Sequence, residues 1–394
     1  MLALVGLIFL ILFFISLRIS KSLFAPDVLN AGVWLLVILL YYLLPHNFYP
    51  IQNRFPFAIL IWVICFNISA VIMMQITTAS RMLQKYNKTV YRIEIILAIL
   101  GTLVTAIDCL RLALTSDYFF LYLRSLSTGL DENIQSDVDP IWAYLRTAMM
   151  IVYLAELSKG RRANIKLVCI FLLLNLLICF ITMAKSQLFL IFIGSIVILN
   201  RERLITLKQI TICALTFLIL SILIQFARES SNDDFSIQRF VAIYILSGSI
   251  AFDHFDPSEI TQSGSNVFRF FEAILGRLGL ITSSANETIL DYTSVGPNTT
   301  TNVYTLLYPY YVDYGYIGIA IFAIVNGIIN GLLYKKSKYN DATLIMYALT
   351  SSTIIFGFLG ELLFTNLSTY IQYSIYIYIL YYWKIKLCNR KEHE

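Results

Sequence analysis

The chain has 394 residues, of which 58% are hydrophobic and only 13% are charged, and its formal net charge is +5. Soluble globular proteins contain about 25% charged residues and about 45–50% apolar residues. This composition excludes a soluble enzyme, a disordered protein and a disulfide-stabilised scaffold. Because no separate soluble segment interrupts the apolar runs, we predict an all-α polytopic integral membrane protein with a single transmembrane domain over residues 1–394.

Eleven apolar runs predict about eleven transmembrane helices, since a helix needs about 20 residues to cross the hydrocarbon core of a bilayer. The seventh run is short and follows the sixth across a tight polar turn at residues 184–187. In chain order the runs cover residues 2–17, 28–45, 57–79, 93–113, 141–157, 165–183, 187–200, 207–226, 311–334, 342–360 and 367–383.

The positions of the basic residues predict the orientation of these helices. Most of the 29 Lys and Arg residues lie in every second loop, beginning with the loop after the first helix. Short loops with such an excess of basic residues face the cytoplasm. We therefore predict an outer N-terminus and a cytoplasmic C-terminus.

One long outer segment, residues 228–311, is inserted between the eighth and ninth predicted helices. Loops longer than about 12–15 residues are uncommon unless they are functional or disordered, and the composition of this one is not that of a disordered segment. Within it, residues 237–252 predict a short re-entrant or buried segment. Residues 267–281 predict an interfacial helix with Arg269 and Glu272 on one face.

Four arginines of this loop are the strongest candidates for a binding function. Guanidinium groups match phosphate oxygens with paired, charge-assisted hydrogen bonds, so the set predicts an anion site near the membrane surface. The alternative is that each arginine pairs with an acidic residue of the loop and anchors it to lipid head groups. The four residues are Arg228, Arg239, Arg269 and Arg277.

His254 lies between two aspartates, Asp253 and Asp256, in the same loop. A histidine beside a carboxylate is a candidate general base near neutral pH, and the alternative is a solvated turn residue. Asp256, Glu272 and Asp291 are further possible bases. No metal-ligand or nucleotide-binding motif occurs, so we expect no metal, no cofactor and no nucleic acid partner.

Several residues within the predicted helices have a structural or a functional interpretation. Six tyrosines from Tyr304 to Tyr316 could stack on sugars, although an interfacial aromatic belt explains most of them. Small residues at helical spacing predict close helix packing. Asp108 and Arg111 are spaced to pair, whereas Arg146 and Glu361 are candidates for lining a wet cavity. The small-residue face consists of Asn326, Gly327, Asn330 and Gly331.

The residues from Asn302 to Gly318 read NVYTLLYPYYVDYGYIG, and a glycine-rich helix with a Tyr-Lys-Lys ending follows. This segment resembles the bacterial O-antigen polymerase (Wzy-type) family, in which a TNVYTFxxPYYxDFGxxG pattern precedes the last three helices. The number of helices, the large outer loop and the arginine after the eighth helix are similar too. The family often has Gly-Ser-Arg between its sixth and seventh helices, where this chain has Ala184-Lys185-Ser186.

The resemblance implies a glycosyltransferase of GT-C-like fold in the bacterial inner membrane, with a periplasmic N-terminus and a periplasmic large loop. It implies polymerisation of undecaprenyl-pyrophosphate-linked repeat units into O-antigen or a related polysaccharide. Membrane lipids and a chain-length regulator are the implied partners. The implied site residues are Arg228, Arg239, Arg269 and Arg277 with Lys185 for pyrophosphate, His254 or Asp253 as the base, and Tyr304, Tyr310 and Asp313 for the glycan.

Three other functions remain open at this level. A lipid-oligosaccharide flippase or other transporter is the first, but such proteins favour internal repeats and polar sites at mid-membrane. A ligase that moves finished glycan to the lipid A core has the same chemistry with another acceptor. A non-enzymatic assembly scaffold is the third, and it does not explain four arginines in one apolar outer loop.

Overall fold

The computed structural model describes residues 1–78, 86–128, 139–228, 237–256, 264–281, 290–297 and 299–383. Within these ranges the chain is mostly helical and contains one two-stranded antiparallel sheet. Six of the described helices are long and apolar enough to cross a membrane. The prediction of a polytopic, helical membrane protein is therefore confirmed.

Among the described residues, a helix lies at each of the eleven predicted segments, and three further α-helices lie between them. Within the described residues, six of these helices have the length and hydropathy expected of a membrane span. The count of eleven spans therefore stays a prediction. The helices are α1 Leu2–Ser20, α2 Pro26–Leu43, α3 Arg54–Ile76, α4 Lys88–Leu114, α5 Phe119–Thr128, α6 Pro140–Leu157, α7 Ile165–Thr182, α8 Lys185–Arg201, α9 Leu207–Arg228, α10 Ile237–His254, α11 Arg269–Arg277, α12 Leu307–Ser337, α13 Asp341–Ile355 and α14 Leu367–Tyr382, and the strands are β1 Thr293–Gly296 and β2 Thr299–Thr301.

Short polar side chains and prolines set where several helices begin. Asn87 caps α4 by accepting the N–H of Thr89 at 3.0 Å, and Asp139 caps α6 by accepting the N–H of Ile141 at 2.9 Å. Pro26 and Pro140 occupy the first helical positions, where the missing N–H has no cost. These are local signals, which explains why sequence alone locates the helices well.

The contacts group the described residues into two compact units. Unit 1 takes in residues of Met1–Ala79, Asn232–Lys336 and Thr350–Ser368, and unit 2 takes in residues of Ser80–Ser231, Ser337–Leu349 and Thr369–Glu394. Thus α10, α11 and the β1–β2 hairpin belong to unit 1, whereas α9 belongs to unit 2. The long predicted loop is therefore largely a part of unit 1.

The core of unit 1 combines large apolar side chains with a buried polar network. Trp34 and Phe66 are almost completely buried. The Asn30 side-chain amide donates to Asn67 Oδ1 at 2.9 Å, and the Trp62 indole N–H donates to Asn30 Oδ1 at 3.2 Å. Such bonds join α2 to α3, because a buried amide within a membrane has no water to bind.

Unit 2 is built around α6, whose residues from Ala148 to Leu157 are all buried. The Tyr153 hydroxyl lies 2.7 Å from Ser195 Oγ of α8, and the Asn175 amide of α7 donates to the Met149 carbonyl at 3.3 Å. The predicted pair on α4 is confirmed, since Arg111 lies 3.7 Å from Asp108.

Close packing of α12 on α3 confirms the predicted small-residue face. A Cβ atom placed on Gly327 would lie 2.0 Å from Ser69 Oγ and 2.5 Å from the Phe66 carbonyl oxygen, and one on Gly331 would lie 2.6 Å from the Ala70 carbonyl oxygen. The two backbones approach at these glycines because no side chain separates them.

We expect Gly327→Leu to lower the melting temperature of the detergent-solubilised protein strongly, because overpacking of a core costs at least about 1–3 kcal/mol. Ile328→Leu is the matched control, since Ile328 is the next residue and its side chain is 39% exposed. Equal melting temperatures for the two variants would contradict the packing of α12 on α3.

Candidate functional site

Asp253, near the C-terminus of α10, caps the N-terminus of α3. Its carboxylate is buried and accepts the N–H of Phe55 at 2.7 Å on Oδ1 and the N–H of Gln52 at 2.5 Å on Oδ2. A carboxylate is favourable here because the first N–H groups of a helix have no intrahelical acceptor. The contact joins residues 201 positions apart along the chain.

Arg54 makes the reciprocal contact from α3 to the end of α10. Its Nη1 donates to the Phe255 carbonyl at 2.9 Å, and its guanidinium lies 4.4 Å from the centre of the Phe255 ring. A cation complements the partial negative charge at a helix C-terminus. Sequence analysis missed this role, because nothing near Arg54 in the sequence indicates a partner about 200 positions away.

His254 lies between these two contacts. Its Nε2 is 3.0 Å from the Pro50 carbonyl oxygen, and its ring centre is 5.7 Å from that of Tyr49. A carbonyl oxygen only accepts hydrogen bonds, so Nε2 carries the proton and Nδ1 of the neutral ring keeps its lone pair. The side chain is 20% exposed and lies 3.9 Å from Asp253 Oδ2, which is beyond hydrogen-bond distance.

The segment that carries Pro50 is itself held in place. The Tyr49 N–H donates to the Val295 carbonyl of β1 at 2.9 Å, and the Ile51 N–H donates to the Tyr41 hydroxyl at 3.2 Å. The strand β1 pairs with β2 in antiparallel register, with Thr293 opposite Thr301. The hairpin thereby fixes the carbonyl that orients the His254 ring.

Asp313 anchors the segment that leads into α11. Its carboxylate is 1% exposed and accepts the N–H of Val267 at 2.9 Å and the side-chain amide of Asn266 at 2.7 Å. The helix α12 is interrupted two residues later at Gly315, where φ is 61°, a conformation that glycine adopts without strain. Asp313 therefore holds the arginine-bearing helix, and direct glycan contact by Asp313 stays a prediction.

The helix α11 has one polar face and one apolar face, and none of its residues is buried. Arg269, Glu272 and Arg277 share the polar face. Burial lowers the pKa of Arg269 from its usual value, although a guanidinium remains charged at neutral pH, and Arg277 is exposed. The apolar face presents the exposed side chains of Phe271, Ile274, Leu275 and Leu278.

The tyrosines expected to bind glycan are packed against other side chains. Tyr310 is 1% exposed, stacks between Trp62 and Phe322 at ring distances of 5.6 and 4.7 Å, and donates its hydroxyl to Glu361 at 3.0 Å. Tyr304 is 3% exposed and lies 4.3 Å from the ring of Tyr308. Sugar stacking by Tyr304 and Tyr310 stays a prediction.

The other predicted anion-binding residues divide between the two units. Arg239 lies in the first turn of α10 in unit 1, together with the residues described above. Arg228 ends α9 and Lys185 begins α8, both in unit 2. The side chains of these three residues lie outside the part that the structure describes.

Three acidic residues of unit 1 use both carboxylate oxygens as hydrogen-bond acceptors. Asp253 and Asp313 accept the bonds given above, and Glu361 accepts the N–H groups of Leu363, Phe364 and Thr365 as well as the Tyr310 hydroxyl. These bonds hold backbone segments in place, so the geometry gives the three carboxylates a positioning role. No group of three or more potential metal ligands occurs within the described ranges. His254 is the remaining candidate from the predicted base pair.

We expect Asp253→Ala to lower the free energy of unfolding by about 2 kcal/mol or more, because two N–H groups at the start of α3 lose their acceptor. Thermal unfolding in detergent measures the effect. Asp117→Ala is the control, because Asp117 is exposed. An unchanged melting temperature for Asp253→Ala would show that the cap does not hold α3 and α10 together.

The chain is 25% identical over 399 residues to an Escherichia coli (strain K12) protein named "Putative O-antigen polymerase", and the similarity covers 96% of this chain and 97% of that relative. No protein-family model matches the chain, and no solved structure matches it significantly. The identity is low, but the similarity extends over nearly the whole of both chains. It gives weak support to a polymerase-like role.

Proposed function

We propose that this protein is a membrane glycosyltransferase that polymerises lipid-linked oligosaccharide repeat units into O-antigen or a related surface polysaccharide. The observation that carries the proposal is the near full-length similarity to a protein with that name. The apolar helices, the arginines of α10 and α11 and the tautomer of His254 are compatible with it. The proposed location is the bacterial inner membrane.

In the proposed reaction the growing glycan leaves one polyprenyl pyrophosphate and joins a new lipid-linked repeat unit. A hydroxyl oxygen of the new unit forms a bond to C1 of the donor sugar, and the bond between C1 and the pyrophosphate oxygen breaks. The bonding electrons leave with the pyrophosphate, and the hydroxyl proton passes to a base. The reaction needs no oxidant, reductant or further reactant.

His254 is the proposed base. Its Nε2–H bond to Pro50 fixes the ring, and its Nδ1 lone pair is the proton acceptor. Asp253, the second predicted base, accepts two backbone N–H groups, so its geometry favours a positioning role. Asp253 and His254 are adjacent in the sequence, so the cap that Asp253 makes also determines where the proposed base His254 lies.

Arginines are the proposed stabilisers of the pyrophosphate leaving group. Arg269 and Arg277 share the polar face of α11, and Asp313 holds the segment before that face. Guanidinium groups are always charged and bind two phosphate oxygens at once, so they stabilise a developing anion without a metal ion. Arg239 of α10 is a further arginine of unit 1 in the proposed set, and the roles of Arg228 and Lys185 stay predictions from the sequence.

The proposed orientation follows from the basic loops. With a periplasmic N-terminus and a cytoplasmic C-terminus, the end of α10 that carries His254 faces the periplasm. Lipid-linked substrates would then reach the arginines from the outer leaflet. A chain-length regulator is the proposed protein partner, as the family resemblance implies.

Deletion of the gene in its host, with the surface polysaccharide analysed on gels, tests the function directly. We expect the ladder of repeat units to collapse to one unit, whereas loss of a ligase would leave none and loss of a flippase would trap the unit inside the cell. Retention of a full ladder would contradict the polymerase proposal.

Complementation of this deletion tests the base. We expect His254→Ala to reduce polymerisation by about 10²–10⁴-fold, the usual contribution of a general base. His46→Ala is a matched control, because both His46 nitrogens have partners: Nδ1 accepts the Phe48 N–H at 3.4 Å and Nε2 lies 3.0 Å from the Tyr41 carbonyl oxygen. Wild-type ladders from His254→Ala at normal expression would exclude His254 as the base.

Arg277 tests the arginine set. We expect Arg277→Ala to slow polymerisation by up to about 10²–10³-fold, the effect of losing one preorganised donor to a developing anion. Arg277→Lys should restore only part of the rate, since the charge remains but the planar fork is lost. Arg161→Ala is the control, because Arg161 is also exposed but lies in one of the basic loops that are predicted to face the cytoplasm. Equal rates for Arg277→Ala and the control would remove Arg277 from the site.

A further inference from the structure

Arg146 lies at the closest approach of two helices of unit 2. A Cβ atom placed on Gly101 of α4 would lie 2.6 Å from the backbone nitrogen of Arg146 in α6 and 2.7 Å from Cβ of Leu145. The backbone of Arg146 is therefore fixed against α4. The next residue of α4, Thr102, is fully buried, and its hydroxyl has no hydrogen-bond partner among the described residues.

The guanidinium of Arg146 is a half-buried cation without a counter-ion in the part of the chain that the structure describes. The groups within electrostatic range are the thiol of Cys109 on α4 and the phenol of Tyr373 on α14. Neither group is charged at neutral pH under ordinary conditions. A partly desolvated cation in this position is costly unless an anion joins it.

None of the acids of α4 and α6 forms an ion pair with Arg146 within the described residues. Asp108 pairs with Arg111 at 3.7 Å. Asp139 is exposed and caps α6 by accepting the N–H of Ile141. Glu156 of α6 pairs with Lys159, and Glu94 of α4 is buried with no hydrogen-bond partner among the described residues, so neither reaches Arg146. No acid of these two helices therefore supplies the counter-ion in the described part of the chain.

The position of Arg146 along α6 indicates where that anion would lie. Arg146 is six residues after the first residue of α6, which corresponds to about 9 Å along the helix axis. The flexible stem of an arginine side chain reaches from such a depth to the head-group region of a bilayer. Ile141 and Tyr144, in the same part of α6, are 54% and 50% exposed, so this part of the helix is accessible.

We propose that Arg146 holds the phosphate group of a membrane lipid. The guanidinium fork donates two parallel hydrogen bonds to phosphate oxygens, and the bound phosphate supplies the missing negative charge. The chemistry is common to an anionic phospholipid and to a polyprenyl pyrophosphate. The site lies in unit 2 and does not rest on the proposed polymerase activity, because it requires only a lipid phosphate in the membrane.

Native mass spectrometry of the full-length protein, purified in a detergent that contains no phosphate, tests this site. The probes are phosphatidylglycerol and farnesyl pyrophosphate, each titrated separately. We expect Arg146→Gln to lose one bound ligand, with occupancy of that site at least about tenfold weaker, which is about 1.4 kcal/mol. Arg146→Lys should give an intermediate loss, because it keeps the charge and lacks the fork.

Arg111→Gln is the matched control, because Arg111 lies on the neighbouring helix α4 and pairs with Asp108. Loss of both probes from the Arg146 variants indicates a general lipid-phosphate site, and loss of farnesyl pyrophosphate alone indicates a pyrophosphate site. Wild-type stoichiometry and affinity for both probes in Arg146→Lys and Arg146→Gln would overturn the proposal. Since binding is measured without polymerisation, this result is separate from any failure of the polymerase proposal.

Discussion

The candidate site depends on two contacts in which a charged side chain of one helix binds the backbone at the end of the other, between α3 and α10. Asp253 of α10 accepts the N–H groups of Gln52 and Phe55 at the start of α3, and Arg54 of α3 donates to the carbonyl of Phe255, the residue after α10. Asp253 and Phe55 are buried, and a buried polar group without a partner is costly, so these contacts join the two helices in one arrangement. His254 lies directly between the two contacts, and its position follows from them.

The described acidic residues of unit 1 and the arginines Arg277 and Arg146 differ in their surroundings. Asp253, Asp313 and Glu361 hold backbone segments in unit 1 by accepting N–H groups. By contrast, Arg277 is exposed on α11, and Arg146 is half-buried without an anion among the described residues of unit 2. These carboxylates therefore stabilise the structure, as the Arg54 guanidinium does, whereas Arg277 is exposed and is a candidate contact for the proposed anionic substrate.

This distribution bears on the choice among functions. A transporter needs polar groups along a route through the membrane. By contrast, His254 is the last residue of α10, and Arg269 and Arg277 are the first and last residues of α11, all in unit 1. A ligase shares the proposed chemistry, and the polysaccharide ladder distinguishes the two.

The sequence by itself predicted the helical membrane character and the positions of the long apolar helices, because hydropathy, caps and prolines act within a few residues of each other. It also predicted the Asp108–Arg111 pair and the glycine face of α12, which depend on spacing within one helix. Only the tertiary structure decided what the outer acids do. Asp253 and Arg54 find their partners about 200 positions away, and no local pattern encodes such a contact. Tertiary packing creates the side-chain hydrogen bonds that distinguish a carboxylate with a capping role from a candidate base.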